Sequence, residues 1–254
     1  MTYIKDTETI IAADLDGTLT ESKVLMTPEM AGVISKWLET NRFAVISGAA
    51  FEQFLKQIVA TLPPSTNLEN LYLFPSNGAE SYSFLNNEWK GQTYEKLLSP
   101  EEKETITSAV REAVKNAEVV SEEIFGEQID YPNGEVTFSA LGQLAPIEKK
   151  VVWDPAQEKR KRIVAHLAPL IPDFSVLIAG TTSINITRKG IDKAYAIAKM
   201  KELLSVDNEH IIFFGDAIFE GGNDFPATTT GVTCIKVSGP KETIVKINDL
   251  LILI

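Results

Sequence analysis

The chain has 254 residues, which is enough for one large domain or two smaller ones, each with its own hydrophobic core. Hydrophobic residues make up 44% and charged residues 23% of the sequence, as is ordinary for a globular protein. The formal net charge of -11 argues against nucleic acid or an anionic membrane surface as a partner.

The first part of the chain alternates apolar strands with amphipathic helices. A continuous apolar run at 9–13 predicts a buried strand, and further strands are predicted at 43–48 and 71–75. One helix is predicted to begin after Thr27, its N-cap, and another at Phe51. Strands that alternate with helices imply right-handed crossovers and a parallel sheet.

The middle of the chain has a different pattern, in which short alternating strands surround charged helices. These elements are predicted as strands at 81–84, 135–140, 174–178 and 183–187 and helices at 100–116 and 155–168. Hairpins combined with helices favour an antiparallel α+β insertion. The strand–helix alternation returns from residue 190, so the sequence predicts a core of residues 1–78 and 189–254 around an inserted domain of residues 79–188.

Two aspartates, Asp14 and Asp16, follow the first strand and precede a turn at Gly17. Ligands of parallel α/β sheets bind beyond the carboxyl ends of the strands, where both carboxylates fall. Because positions i and i+2 of an extended chain face the same side, one aspartate can attack while the other handles a proton. A calcium loop is the alternative, but its twelfth position, Leu25, is not the glutamate that such a loop needs.

A phosphate seat is predicted where the second strand meets its helix. Ser47 offers a hydroxyl and Gly48 a backbone N–H group at a helix start, although Ser-Gly is also common in turns. Lys193, at the start of a later helix, could neutralise Asp14 and a bound phosphoryl oxygen. Lys189 is the competing lysine, and either could instead be a solvated surface charge.

A third carboxylate, Asp216, follows the strongly apolar strand at 210–215. Three carboxylates at neighbouring strand ends suit Mg²⁺, a hard cation that prefers a few oxygen ligands plus waters. The loop that begins at Asp216 also contains Asn223 and Asp224. These two residues could orient metal-bound water or serve only as turn formers.

These four motifs occur in order at strand or helix ends, and together they resemble the haloacid dehalogenase (HAD) superfamily. Residues 14–18 correspond to its first motif, Ser47 to the second, Lys193 to the third and residues 216–224 to the fourth. The insertion at 79–188 stands where subclass IIB places its cap. The resemblance therefore implies an α/β fold with a Rossmann-like parallel-sheet core and an inserted α+β type IIB cap.

Within that subclass, the chain resembles the eukaryotic-type phosphomannomutase branch in residues 215–224 and in the cap segment 133–142. That branch places arginines around the cap segment to grip the distal phosphate of a bisphosphate. Here Pro132 and Gln143 occupy two of those positions, and Lys150 lies near a third.

The branch also has a Ser-x-Asp pair for sugar hydroxyls, which corresponds to Ser183 and Asn185 in this chain. The resemblance thus implies four cap residues that contact the substrate, namely Gln143, Lys150, Ser183 and Asn185.

The resemblance implies a mechanism in which Asp14 attacks phosphorus and forms an aspartyl-phosphate. Asp16 first protonates the leaving oxygen and then takes a proton from the incoming water or hydroxyl. Mg²⁺ is held by the carboxylates of Asp14 and Asp216 and by the main-chain carbonyl of Asp16. The phosphoryl oxygens are held by Ser47, Gly48 and Lys193.

Two activities follow from this mechanism, and the sequence favours the first. One is a magnesium-dependent phosphatase of a small phosphorylated metabolite, such as a sugar phosphate. The other is a phosphomannomutase, which must hold a second phosphate in the cap, and the loss of arginines at Pro132 and Gln143 weakens that grip. A non-catalytic sugar-phosphate sensor is disfavoured because both aspartates and Lys193 are present.

The remaining expectations concern location. The N-terminal residues have no signal-peptide pattern, and no apolar run approaches the roughly 18 residues needed to span a bilayer. The single cysteine, Cys234, allows no intramolecular disulfide. We therefore expect a cytoplasmic protein without a membrane or nucleic-acid partner, whose oligomeric state the sequence does not indicate.

Overall fold

The computed structural model describes residues 9–21, 24–94, 98–121, 123–132 and 134–253, so Asn133 of the predicted cap segment lies outside the described residues. The strands are β1 (Ile10–Asp14), β2 (Arg42–Ile46), β3 (Leu71–Phe74), β4 (Glu80–Leu85), β5 (Glu88–Thr93), β6 (Ile129–Asp130), β7 (Glu135–Ser139), β8 (Phe174–Ala179), β9 (Ser183–Arg188), β10 (Ile211–Gly215) and β11 (Thr233–Lys236). The α-helices are α1 (Pro28–Trp37), α2 (Phe51–Gln57), α3 (Pro100–Asn116), α4 (Ile147–Trp153), α5 (Glu158–Leu167), α6 (Lys193–Leu204) and α7 (Pro240–Leu253). Across these ranges, no helix has both the length and the hydrophobicity that a bilayer-crossing segment requires.

The larger sheet has seven strands in the order β11-β10-β1-β2-β3-β4-β5. The first five of these are parallel, and β1 lies at the centre between β10 and β2. All five residues of β1 are buried, as its continuous apolar run predicts for a strand that is covered on both faces. This sheet confirms the predicted α/β fold class.

The hairpin of β4 and β5 corrects the predicted boundary of the inserted domain at residue 79. The strand predicted at 81–84 was expected in the cap, but β4 pairs antiparallel with β3 and extends the larger sheet, and β5, which was not predicted, pairs with β4. Tyr82 of β4 stacks on Phe51 of α2 with ring centroids 3.7 Å apart, which anchors the hairpin to the core. The hairpin turn itself, at Asn86 and Asn87 with positive φ, determines only the pairing within the hairpin.

The smaller sheet, which we call the cap sheet, has the antiparallel order β6-β7-β9-β8. Helices α3 and α5 pack against it, and together they bury a separate hydrophobic cluster that includes Ile106, Val136, Ile163 and Ile186. These elements form a separate α+β unit, which lies in the chain between β5 and β10 of the larger sheet. The helix predicted at 155–168 corresponds to α5, while α4 was not predicted.

Candidate active site

Three carboxylates meet at the carboxyl edge of the larger sheet. Asp14 ends β1 and Asp216 follows β10, the strand paired with β1 in parallel register. Asp224 joins them, and each of the three offers an oxygen within 4.8 Å of the others. Asp224 is completely buried, and its Oδ2 accepts the Ala217 N–H at 3.1 Å. The sequence had given Asp224 only a turn or water-orienting role, so its place in the cluster is new.

Lys193 contacts this cluster. It begins α6, whose N-cap Asp192 accepts the N–H groups of Ala194 and Tyr195. The Lys193 ammonium donates to Asp14 Oδ1 at 2.6 Å, and its side chain is 1% exposed. Lys189, the competing lysine, is exposed.

The same ammonium also contacts the end of β2 and a second carboxylate. Lys193 Nζ donates to the main-chain carbonyl of Ile46, at the end of β2, at 2.6 Å, and it lies 3.7 Å from Asp224 Oδ1. One buried cation therefore reaches two of the three carboxylates and the strand that leads into the predicted phosphate seat.

The electrostatics of the cluster show an excess of negative charge. Burial and the neighbouring Asp14 raise the pKa of Asp216 to about 7, and the same two causes raise the pKa of Asp224 well above its ordinary value. Burial lowers the pKa of Lys193, but the carboxylates of Asp14 and Asp224 outweigh it and hold the pKa above its usual value. Among the described residues, the Lys193 ammonium thus pairs with two buried carboxylates, Asp14 and Asp224, and the partly buried Asp216 adds a third negative charge beside them.

The donor set fits a hard divalent cation. Asp224 Oδ1 is buried without a hydrogen-bond partner among the described residues, and carboxylate oxygens are the ligands that Mg²⁺ prefers. Gly17 brings the main chain of the first motif against the Asp216 carboxylate. It has φ +91°, and a Cβ there would lie 2.7 Å from Asp216 Cγ, so a glycine is required.

Asp16, Ser47 and Gly48 all line the cleft that opens above the carboxylates. The Asp16 Oδ1 accepts from Thr20 Oγ1 at 3.4 Å and lies 3.5 Å from Gln57 Nε2. The Ser47 Oγ accepts the Ala49 N–H at 3.2 Å, which fixes the hydroxyl at the start of the turn into α2.

Gln57 contacts Asp16 but was not predicted from the sequence. It is 3% exposed, and its Nε2 also donates to the Val24 carbonyl at 2.8 Å. A polar residue three positions after the buried Phe54 on a helix is the signal that could have identified it.

The other wall of the cleft belongs to the cap sheet. Ser183 and Asn185, both predicted, line the cleft together with Glu135 and Thr137, which were not predicted. Glu135 is 4% exposed. Its Oε1 accepts from Thr137 Oγ1 at 2.9 Å, and its Oε2 lies 3.4 Å from Asn185 Nδ2.

The core also holds this carboxylate, through Asn77 of the loop after β3. Asn77 Nδ2 donates to Glu135 Oε2 at 3.3 Å. The Glu135 carboxylate takes the space beside Gly48 that a side chain at that position would fill. A polar Ser-Asn-Gly segment after a parallel strand, at 76–78, is the sequence signal that points to Asn77.

Two predicted cap residues, Gln143 and Lys150, do not line the cleft. Lys150 lies on α4, where its Nζ is 3.5 Å from the Gln143 carbonyl. The Gln143 side-chain amide in turn lies 3.5 Å from the Gln128 carbonyl. The expectation that these two residues contact substrate therefore stays a prediction.

Asn223 lines the cleft at the junction of core and cap. Its N–H donates to the Ile178 carbonyl of β8 at 3.1 Å, while the Ile178 N–H donates to the Gly221 carbonyl at 2.9 Å. The core loop that carries Asn223 is thus hydrogen-bonded to a strand of the cap.

Comparison with known proteins identifies the family. A family model described as eukaryotic phosphomannomutase matches residues 30–253. The chain belongs to this family. A phosphomannomutase of Encephalitozoon cuniculi is 26% identical over 255 residues, which cover 97% of this chain and 95% of the relative. A phosphomannomutase of Saccharomyces cerevisiae is 25% identical and covers 88% of this chain and 86% of the relative.

Solved structures share the fold. A truncated, IMP-bound IMP-nucleotidase of Plasmodium falciparum superposes with a TM-score of 0.71 at 16% identity, covering 96% of this chain and 68% of that one. A haloacid dehalogenase-like hydrolase of Bacteroides thetaiotaomicron has a TM-score of 0.56 at 15% identity, covering 95% and 99% of the two chains. The resemblance to the phosphomannomutase-like branch of the HAD superfamily is confirmed, and with it a HAD-type phosphoryl-transfer enzyme.

Proposed function

We propose that this member of the phosphomannomutase family transfers the phosphoryl group of a sugar phosphate through an aspartyl-phosphate on Asp14, to a second hydroxyl of the sugar. The observation that carries the proposal is the arrangement around Asp14. Its carboxylate lies at a sheet edge, within reach of Asp216 and 2.6 Å from the buried Lys193 ammonium. An ammonium at this distance offsets the negative charge of the carboxylate and so reduces its repulsion of an approaching phosphate ester.

In this mechanism, Asp14 attacks phosphorus in line, and the bond between phosphorus and the leaving sugar oxygen breaks. A sugar hydroxyl then attacks the aspartyl-phosphate, and the bond between phosphorus and the Asp14 oxygen breaks. Asp16, which lines the same cleft, protonates the leaving oxygen and later accepts the proton of the incoming hydroxyl. The Ser47 hydroxyl, the Gly48 N–H and the Lys193 ammonium hold the phosphoryl oxygens, whose charge spreads in the transition state.

Asp14 and Asp216 are the residues that would hold Mg²⁺, with Asp224 beside them. The main-chain carbonyl of Asp16 stays a proposed ligand from the first motif. When bound, Mg²⁺ supplies the positive charge that lets one anion approach another.

The sequence favoured a phosphatase, but the family match and the phosphomannomutase relatives support transfer between sugar hydroxyls better. Hydrolysis remains the second candidate because of one observation. The described residues that line the cleft include no arginine or lysine, the side chains best suited to hold the second phosphate of a bisphosphate.

One assay separates these activities. The protein is incubated with Mg²⁺ and mannose 1-phosphate, with and without a sugar bisphosphate activator, and the products are resolved. Mannose 6-phosphate is the expected product. Free phosphate alone would overturn the mutase proposal in favour of hydrolysis, and binding without turnover would indicate a sensor. The Asp14→Asn variant is the matched control and should form neither product.

A further inference from the structure

Glu135 occupies a place in the cleft that the mechanism above does not use. It begins β7 in the cap, yet its carboxylate reaches the core beside Gly48. The contact exists because position 48 is a glycine, since a Cβ there would collide with the Glu135 carboxylate. A cap carboxylate thus lies next to the predicted phosphate seat.

Side chains from both parts of the molecule fix the orientation of this carboxylate. Asn77 donates from the core at 3.3 Å, and Asn185 and Thr137 donate from the cap at 3.4 Å and 2.9 Å. Asn77 itself has φ +51°, a left-handed conformation that asparagine tolerates better than most residues. Fixed hydrogen bonds make Glu135 a preorganised acceptor rather than a solvated charge.

The surroundings of Glu135 limit what can bind there. Asp130 and Glu21 also line this cleft, and none of its described lining residues is an arginine or a lysine. Carboxylates accept strong hydrogen bonds from hydroxyls. The chemistry of this wall therefore suits the several hydroxyl groups of a sugar or polyol.

We infer that Glu135 is a specificity-determining residue, which accepts hydrogen bonds from the hydroxyls of the alcohol half of the substrate. It selects phosphate monoesters of sugars or polyols over esters without such hydroxyls. The inference rests on the proposed phosphoryl transfer at Asp14 and names the residue that recognises the leaving group.

The test compares two substrates in two variants. Glu135→Gln keeps the size of the side chain and removes its charge, and Glu135→Ala removes the acceptor altogether. For each variant, kcat/KM is measured with the best substrate of a panel of hexose and polyol monophosphates and with p-nitrophenyl phosphate, which has no hydroxyl on its leaving group. Glu127→Gln, which changes an exposed cap carboxylate that does not line the cleft, is the matched control.

We expect Glu135→Ala to lower kcat/KM for the sugar or polyol phosphate by at least about 10-fold relative to p-nitrophenyl phosphate. Glu135→Gln should shift the same ratio in the same direction, and Glu127→Gln should leave it unchanged. Equal losses of kcat/KM on both substrates, or equal gains on both, would overturn the inference.

Kinetics of the wild-type protein distinguish failure of the Glu135 role from failure of the proposed phosphoryl transfer. Turnover of p-nitrophenyl phosphate without any preference for hydroxylated esters overturns the role of Glu135 and leaves phosphoryl transfer intact. Turnover of no phosphate ester in the panel overturns the proposed function itself.

Discussion

Replacing Lys193 by methionine tests the electrostatic core of the site. The substitution keeps most of the side-chain length and removes the ammonium that faces Asp14 at 2.6 Å and Asp224 at 3.7 Å. Both carboxylates are buried, so water does not replace the lost partner. Removing one member of a buried ion pair typically costs about 3–5 kcal/mol.

In a chain of this size, each kcal/mol lowers Tm by about 2–4 °C, so Lys193→Met should lower it by roughly 6–20 °C. The loss should be smaller at pH 6 than at pH 8. The pKa of Asp216 is about 7, so at pH 6 its carboxyl group is protonated and repels Asp14 less.

Thermal unfolding followed by circular dichroism, in EDTA and at both pH values, measures these shifts. Lys161→Met is the matched control, because Lys161 pairs with Glu158 at 3.8 Å on the surface, with side chains 57% and 75% exposed. Such a pair contributes at most about 1 kcal/mol. If Lys193→Met unfolds at the same temperature as Lys161→Met, the described ion pair does not stabilise the protein and the reasoning is refuted.

Three further predictions follow from individual contacts. Folding raises the pKa of Asp216 to about 7, so the folded protein holds a proton that the unfolded chain releases near pH 4. Between about pH 4 and pH 7, this group therefore makes the metal-free protein less stable as the pH rises. Because this proton also competes with Mg²⁺, the rise in Tm on adding Mg²⁺ should be larger at pH 8 than at pH 6, and equal rises would argue against Asp216 as a ligand. Gly17→Ala should weaken Mg²⁺ activation, measured by metal titration, because its Cβ would lie 2.7 Å from Asp216 Cγ; Gly32→Ala, which meets nothing within 4 Å, should not. Arg160→Met should destabilise the protein by about 3–5 kcal/mol and raise KM, because the buried guanidinium binds Asp154 and the Ala179 and Gly180 carbonyls. Urea unfolding and steady-state kinetics measure the two effects, and an unchanged free energy of unfolding or an unchanged KM would contradict the prediction.

The parts of the site that were predictable are those set by local sequence. A continuous apolar run forms the central strand β1, and a parallel sheet brings its carboxyl end next to that of β10. Asp14 and Asp216 therefore had to meet at one edge. Lys193 was also predictable, because a helix start at the same edge holds it there.

What the sequence did not predict depends on contacts between distant segments. The β4–β5 hairpin could have joined either sheet, and the stacking of Tyr82 on Phe51 attaches it to the core. Glu135 was missed because its role comes from the approach of the cap to Gly48, which no local pattern encodes.

Whether Gln143 and Lys150 line the cleft also depends on how the cap folds. The resemblance placed them at or near arginine positions of the family, but neither residue is among the described residues that line the cleft, and Lys150 Nζ lies 3.5 Å from the Gln143 carbonyl. A role of either residue in substrate binding stays a prediction.

Direct detection of the covalent intermediate tests the central claim. The protein with Mg²⁺ is mixed with a sugar phosphate that carries the radiolabel in its phosphate group. The reaction is quenched rapidly in acid, the protein is digested, and the labelled peptide is sequenced. We expect an acid-stable, hydroxylamine-labile label on Asp14 that is absent from the Asp14→Asn variant. Turnover of the same substrate with the label on another residue, or undiminished turnover by Asp14→Asn, would contradict the account.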